Sequence, residues 1–257
     1  MQLHDLPWPA LAGELDRGTP VILPFGSLEQ HGPHLPLDTD TVCVQAIADR
    51  AAEQAGAISM PALSYGAPSR PRSGGGPVFP MGAEIPLGVY FDVVRGITTN
   101  LLDRGVRNLL VMTWHTENGA VIYDAVREAI SAARAEDAKI VNLDSPGSLV
   151  RPETAKQAYV DGPVPGHFEH AGLIETSVML ALDPTAVHEH HDVVSSLPTL
   201  GYDVLPQPVG AVAASGSFTS PKNATAEIGQ LLLDDIVPGL AGVLDREFGS
   251  RRTIARP

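Results

Sequence analysis

Glu29 and His31 stand two residues apart in a polar stretch, GSLEQHGPHLPLDTDT, that directly follows an apolar run. His115 and Glu117 repeat the pair in inverted order after a second apolar run. Residues two apart on an extended chain share a side, so each pair would present an imidazole and a carboxylate together. Asp38 and Asp40 follow the first pair closely. Imidazole nitrogen and carboxylate oxygen form the donor set that suits Zn²⁺, Mn²⁺ and related divalent ions. Read singly, a Glu-x-His beside a turn is more often a solvated loop than a ligand pair; two such pairs at strand ends, with an aspartate nearby, bring a metal site level with that reading. The stretch GHFEHAGLIETS places His167, Glu169, His170 and Glu175 around a helix start, where acids also serve as ordinary first-turn residues. The run HEHHD at 188–192 follows a helix end and reads as surface. The glycines Gly74, Gly75 and Gly76 lack the trailing Lys-Ser/Thr of a phosphate-binding loop.

The elements that must position these residues follow from periodicity and punctuation. TPVILPF, AISMPAL, NLLVMTW and KIVNL are short apolar runs bounded by turn residues and read as buried strands. Between them lie helical patterns at about 40–55, at 86–104 with Tyr90, Val93, Val94, Ile97 and Leu101 aligned, and after HTENG with Ile122, Val126 and Ile130 aligned. An opening helix near 10–17, a short apolar helix in LIETSVMLAL and a final helix at about 224–248, kinked at Pro238, complete the reading. Residues 66–83 hold four prolines and a run of three glycines and are expected to form a long functional loop. Strands alternating with helices imply a three-layer α/β/α sandwich around a mainly parallel sheet, in one domain spanning 1–257. The carboxyl ends of parallel strands form a ligand crevice, which is where both pairs would converge.

Composition narrows the partners. A net charge of −13 with no Lys/Arg cluster excludes an electrostatic nucleic-acid or anionic-membrane surface. The single cysteine, Cys43, supports neither a disulfide framework nor a thiolate zinc site. No stretch reaches the roughly 20 apolar residues of a membrane span, and the first residues lack a signal-peptide pattern. The expectation is a cytoplasmic protein acting on a small molecule.

The segments PFGSLEQHGPHLPLDTDT, RSGGGPVFP, HTENG, FEHAGLIETSVMLALDP and SGSFTSPKNATAEIG together resemble the creatininase (creatinine amidohydrolase) family, in its order, from about Val21 to Phe248. The resemblance implies a homohexamer with two divalent ions per chain, Zn²⁺ and/or Mn²⁺. Carried over by position, Glu29, Asp40 and His115 would hold one ion and His31, Asp40 and Glu117 the other. HTEN is similar to creatininase itself, whereas many relatives carry a glycine-rich NGHGGN there. The resemblance also marks departures. The tryptophans that enclose the family's flat substrate would fall near Ser145 and at Gly166 to His167, where this chain has none, and Trp114 stands where glycine usually precedes the metal-binding histidine.

With ions that acidify a bound water, the expected reaction is hydrolysis of a cyclic C–N bond in creatinine or a similar lactam. His170 is the expected proton carrier, with Glu169 or Glu175 orienting it or capping the helix, and Glu117 close to the chemistry. Backbone N–H groups of Ser73, Gly74, Gly75 and Gly76 are expected to face the oxyanion, and Trp114 and His167 to face the substrate. Two alternatives stay open: a family hydrolase acting on another small cyclic compound or a modified peptide, and a metal-loaded assembly protein without turnover.

Overall fold

The computed structural model describes residues 1–80, 82–159, 169–196, 202–208, 210, 212 and 214–249. Four parallel strands form one sheet in the order β2-β1-β3-β4, with β1 Val21–Phe25, β2 Ile58–Ser59, β3 Asn108–Thr113 and β4 Lys139–Leu143. The alternation of side chains along β1 and β3 divides the core in two. Ile22, Leu110 and Met112 point to one face, where they meet Val44, Ile47, Val178, Leu232 and Leu240. Val21, Leu23, Phe25, Leu109 and Val111 point to the other, against Tyr90, Val94, Ile122 and Val126. The first layer is therefore built by α2 Thr39–Ala55, α6 Leu173–Leu182 and α7 Ala226–Phe248, and the second by α3 Leu87–Asp103 and α4 Thr116–Ala132. Helices α1 Trp8–Asp16 and α5 Pro152–Ala158 complete the described set. This is the α/β sandwich expected from the strand-helix alternation.

Two boundaries differ from the sequence expectation, and each has a local cause. Strand β2 is only two residues long: Ile58 N and Met60 N donate to Pro20 O and Ile22 O of the β1 side, but the next N–H in that alternation, Ala62, turns to Gln45 Oε1 at 2.6 Å, and contact with β1 resumes one residue later, where Leu63 N donates to Pro24 O at 3.1 Å. The second difference matters more. Strand β3 stops at Thr113, His115 is the extended residue flanking α4, and Glu117 already lies in the first helical turn. His115 and Glu117 thus do not share an extended strand, and the same-side argument fails for that pair. Helix α7 runs through Pro238 and is started by Thr225, whose hydroxyl accepts the Ile228 N–H at 3.2 Å.

Candidate metal centre

The site lies where strand carboxyl ends meet helix amino ends. Glu29 and His31 follow β1, Asp40 sits in the first turn of α2, His115 follows β3, and Glu175 sits in the first turn of α6. Carboxylates at helix amino ends face the positive end of the peptide dipoles. Gly26 lets α2 approach: a Cβ there would lie 2.6 Å from Thr41 Cα, so only glycine allows Asp40 to come beside the strand end.

All five side chains are buried. His115 Nδ1 lies 2.8 Å from Glu29 Oε1 and 3.3 Å from Asp40 Oδ2. His31 Nε2 lies 3.4 Å from Asp40 Oδ1 and 3.8 Å from Glu175 Oε1. Two triads result, Glu29–Asp40–His115 and His31–Asp40–Glu175, and Asp40 belongs to both. Glu29, His31 and His170 form a third grouping.

Charge and unmet hydrogen bonding both fit a cation here. Burial opposes protonation of His31, but Asp40 and Glu175 outweigh it and push its pKa up to about 10. Burial likewise opposes protonation of His115, and the charges of Glu29 and Asp40 raise its pKa well above the ordinary value. The carboxylates thus demand positive charge, which divalent ions can supply in place of protons. Glu29 Oε2, His31 Nε2 and Asp40 Oδ2 are buried without a hydrogen-bond partner. Each such atom costs about 1–3 kcal/mol, and their convergence is relieved by a ligand among them.

The histidines are oriented from behind. His115 Nε2 lies 2.9 Å from Ala67 O, so its N–H is directed there and Nδ1 is left facing the carboxylates. Gln30 Nε2 donates to Gly74 O at 3.0 Å and Gly216 O at 3.1 Å, which occupies both amide protons. His170 Nε2, 2.9 Å from Gln30 O, then donates to that carbonyl. Its Nδ1 faces the centre, 3.9 Å from Glu29 Oε1. Burial, then the charge of His31, lowers the His170 pKa to about 4. Ala171, between His170 and α6, adopts φ 50, a strained left-handed conformation of the kind found at functional sites.

Glu117 is placed elsewhere than beside His31. It belongs to none of the groupings; Oε2 lies 3.5 Å from His115 Nε2, while Oε1 accepts the Arg70 N–H at 2.8 Å and the Ser73 hydroxyl. Glu175 takes the place expected for it. Glu169 Oε1 accepts the Ile174 N–H at 2.9 Å at the start of α6; burial and then Glu175 raise its pKa to about 8. Three of the four loop N–H groups expected to face an oxyanion are engaged within the loop: Ser73 and Gly74 donate to Arg70 O, and Gly76 donates to Ser69 Oγ. Those bonds close the loop on itself. Trp114 is half-buried and borders a cavity of about 870 Å³ that reaches Glu29, Asp40, His115, Glu117, Glu169 and His170, with Ser145 at its edge. His167 lies outside the described residues. His188 and His191 are exposed and join none of the groupings. Gln30, the orienting partner of His170, was missed, although it sits between the two ligand candidates in the sequence.

Residues 4–244 match the family model for creatininase, described as creatinine amidohydrolase. This chain belongs to the creatininase family. It is 34% identical over 250 residues to creatinine amidohydrolase of Pseudomonas putida, covering 95% of this chain and 96% of that one. It is 30% identical over 236 residues to the mycofactocin precursor peptide peptidase of Mycolicibacterium smegmatis, covering 88% and 84%. Solved creatininases, a Mn form and a Zn–Zn form of a mutant, match at a TM-score of 0.90 with 34% and 33% identity, each over 96% of this chain and 98% of theirs. This creatininase-family chain has buried His, Glu and Asp groups placed so that they could hold a metal ion. Among the described residues, no helix is long and apolar enough to cross a membrane.

Proposed function

We propose that this chain is a metal-dependent amidohydrolase that opens a C–N bond in a small cyclic amide, creatinine or a close analogue. The observation that carries the reading is Asp40, whose two oxygens face His31 and His115 in separate triads. On this reading Glu29, Asp40 and His115 hold one divalent ion and His31, Asp40 and Glu175 the other. Glu117 backs His115 instead of binding metal. The whole chain is read as one hydrolase domain, supported by the span of the family match.

Bound divalent ions acidify water towards a pKa of about 7, which supplies the nucleophile at neutral pH. His170, neutral with a free Nδ1 lone pair facing the centre, is placed to take a proton from the attacking water. Water oxygen adds to the carbonyl carbon, the C–N bond breaks, and His170 returns the proton to the leaving nitrogen. Gln30 fixes the imidazole through its carbonyl and keeps Nδ1 turned inward.

A second reading keeps this centre and changes the substrate. A cavity of about 870 Å³ with Trp114 in its wall exceeds what a single small lactam fills, and one relative is a precursor peptide peptidase. Metal analysis should find close to two ions per chain, and Asp40→Asn should lose most of both; a metal-free active protein overturns the proposal. Hydrolysis of creatinine by the Mn²⁺- or Zn²⁺-loaded protein supports the first substrate. Turnover confined to other cyclic amides, lactones or peptides supports the second. The hexamer and the cytoplasmic location belong to the same proposal, and sedimentation velocity and cell fractionation test them.

A further inference from the structure

Trp114 and His115 are consecutive in the bend between the end of β3 and the start of α4. Their contacts reach opposite halves of the centre. His115 meets Glu29 and Asp40, while the Trp114 indole N–H donates to Glu175 Oε1 at 3.1 Å. That oxygen is the one 3.8 Å from His31 Nε2. The other Glu175 oxygen accepts the Ala171 N–H at 2.6 Å, so each oxygen of the carboxylate has one fixed donor. A carboxylate oxygen has a second lone pair, which on Oε1 is left for a cation. The indole itself is pinned, since its ring packs against the apolar cluster of α2, α6 and α7.

We propose that Trp114 is a positioning residue: its indole N–H holds Glu175 Oε1 in place to bind the ion shared with His31 and Asp40. The inference rests on the two-ion reading above. It gives the bulky residue beside the metal ligand a defined task, because no short side chain at position 114 carries an N–H that far. One strand end then supplies a ligand to one ion and the orienting donor for the other.

Partners of this kind change metal affinity by about 10- to 100-fold. Trp114→Phe keeps the aromatic bulk and removes the donor. Chelator titration of the holoprotein, followed by elemental analysis, should show one ion released at about 10- to 100-fold lower chelator strength and the other unchanged. Excess Zn²⁺ should restore kcat, which loss of packing alone would not permit. The wild-type chain carries only Trp8 and Trp114, and Trp8 is 79% exposed, so indole N–H resonances give a second measurement independent of the variant's folding. The resonance absent in Trp114→Phe should shift when Zn²⁺ fills the Glu175 side, and that of Trp8 should not. Two ions released as in wild type, or an indole resonance indifferent to Zn²⁺, overturns the positioning role alone. A wild-type protein that takes up no ion overturns the two-ion reading as well.

Discussion

Glu29 and Gly74 are packed so closely that a Cβ on residue 74 would lie 2.4 Å from Glu29 Oε2 and 2.3 Å from Ser69 Oγ. Gly74 therefore acts on the centre through the space it leaves, its own N–H being engaged with Arg70 O inside the loop. Gly74→Ala is expected to push the Glu29 carboxylate off its position beside His115. Affinity for metal should fall by about the 10- to 100-fold typical of perturbed outer contacts, with the fold intact by circular dichroism. An alanine variant that binds metal like wild type would refute this coupling.

His170 separates metal binding from turnover. Its Nε2 is committed to Gln30 and its Nδ1 faces the centre without belonging to either Asp40 triad. His170→Ala should retain close to two ions per chain while kcat falls by about 10²- to 10⁴-fold, the usual contribution of a general acid–base group. Loss of metal together with activity would instead make His170 a ligand.

Glu29, His31 and His115 are legible in the sequence because each follows a strand end by a few residues, where parallel topology makes a crevice, and Asp40 because it follows the first pair in the same polar stretch. The pairing of Glu117 with His115 rests on a period of two that does not hold where the chain has already become helical, its ligand role is implied only by the family resemblance, and the structure places it outside the groupings. Glu117, in the first turn of α4, meets His115 on its Nε2 side at 3.5 Å, away from the Nδ1 that faces Glu29 and Asp40. Glu175 carried no local signal of its position in the cluster. An acid in the first turn of α6 reads as an ordinary first-turn residue, and only the docking of α6 against α2 brings it to His31 and Asp40, more than a hundred residues away in sequence. The strands were legible from apolar runs; the early end of β2 required knowing which N–H groups the ladder uses.

Gly96 lies on the exposed face of α3, and a Cβ there would meet no atom within 4 Å. Nothing in the fold requires glycine at that point, and glycine in a helix interior costs roughly 0.5–1 kcal/mol relative to alanine. Gly96→Ala should raise the melting temperature by about 1–4 °C without altering metal content. A lower melting temperature would show that α3 contacts something outside this chain at Gly96.

Asp235 links α7 to the start of α5 away from the centre, and it gives the fold a defined acid sensitivity. Its Oδ1 accepts from Arg151 Nε at 2.7 Å and its Oδ2 from the Arg151 backbone N–H at 3.0 Å. The hydrogen bond to Arg151 lowers its pKa from 3.8 to about 2, against the opposing effect of burial. Between those values the unfolded chain binds more protons than the native one, so native stability rises with pH there. The contribution is fully present above about pH 4 and disappears as pH falls through about 2. Asp235→Asn should therefore melt a few °C below wild type at neutral pH. That gap should narrow steadily between pH 4 and pH 2 as the wild-type carboxylate is protonated. A gap constant across this range would mean that packing around residue 235, and not its charge, sets the difference.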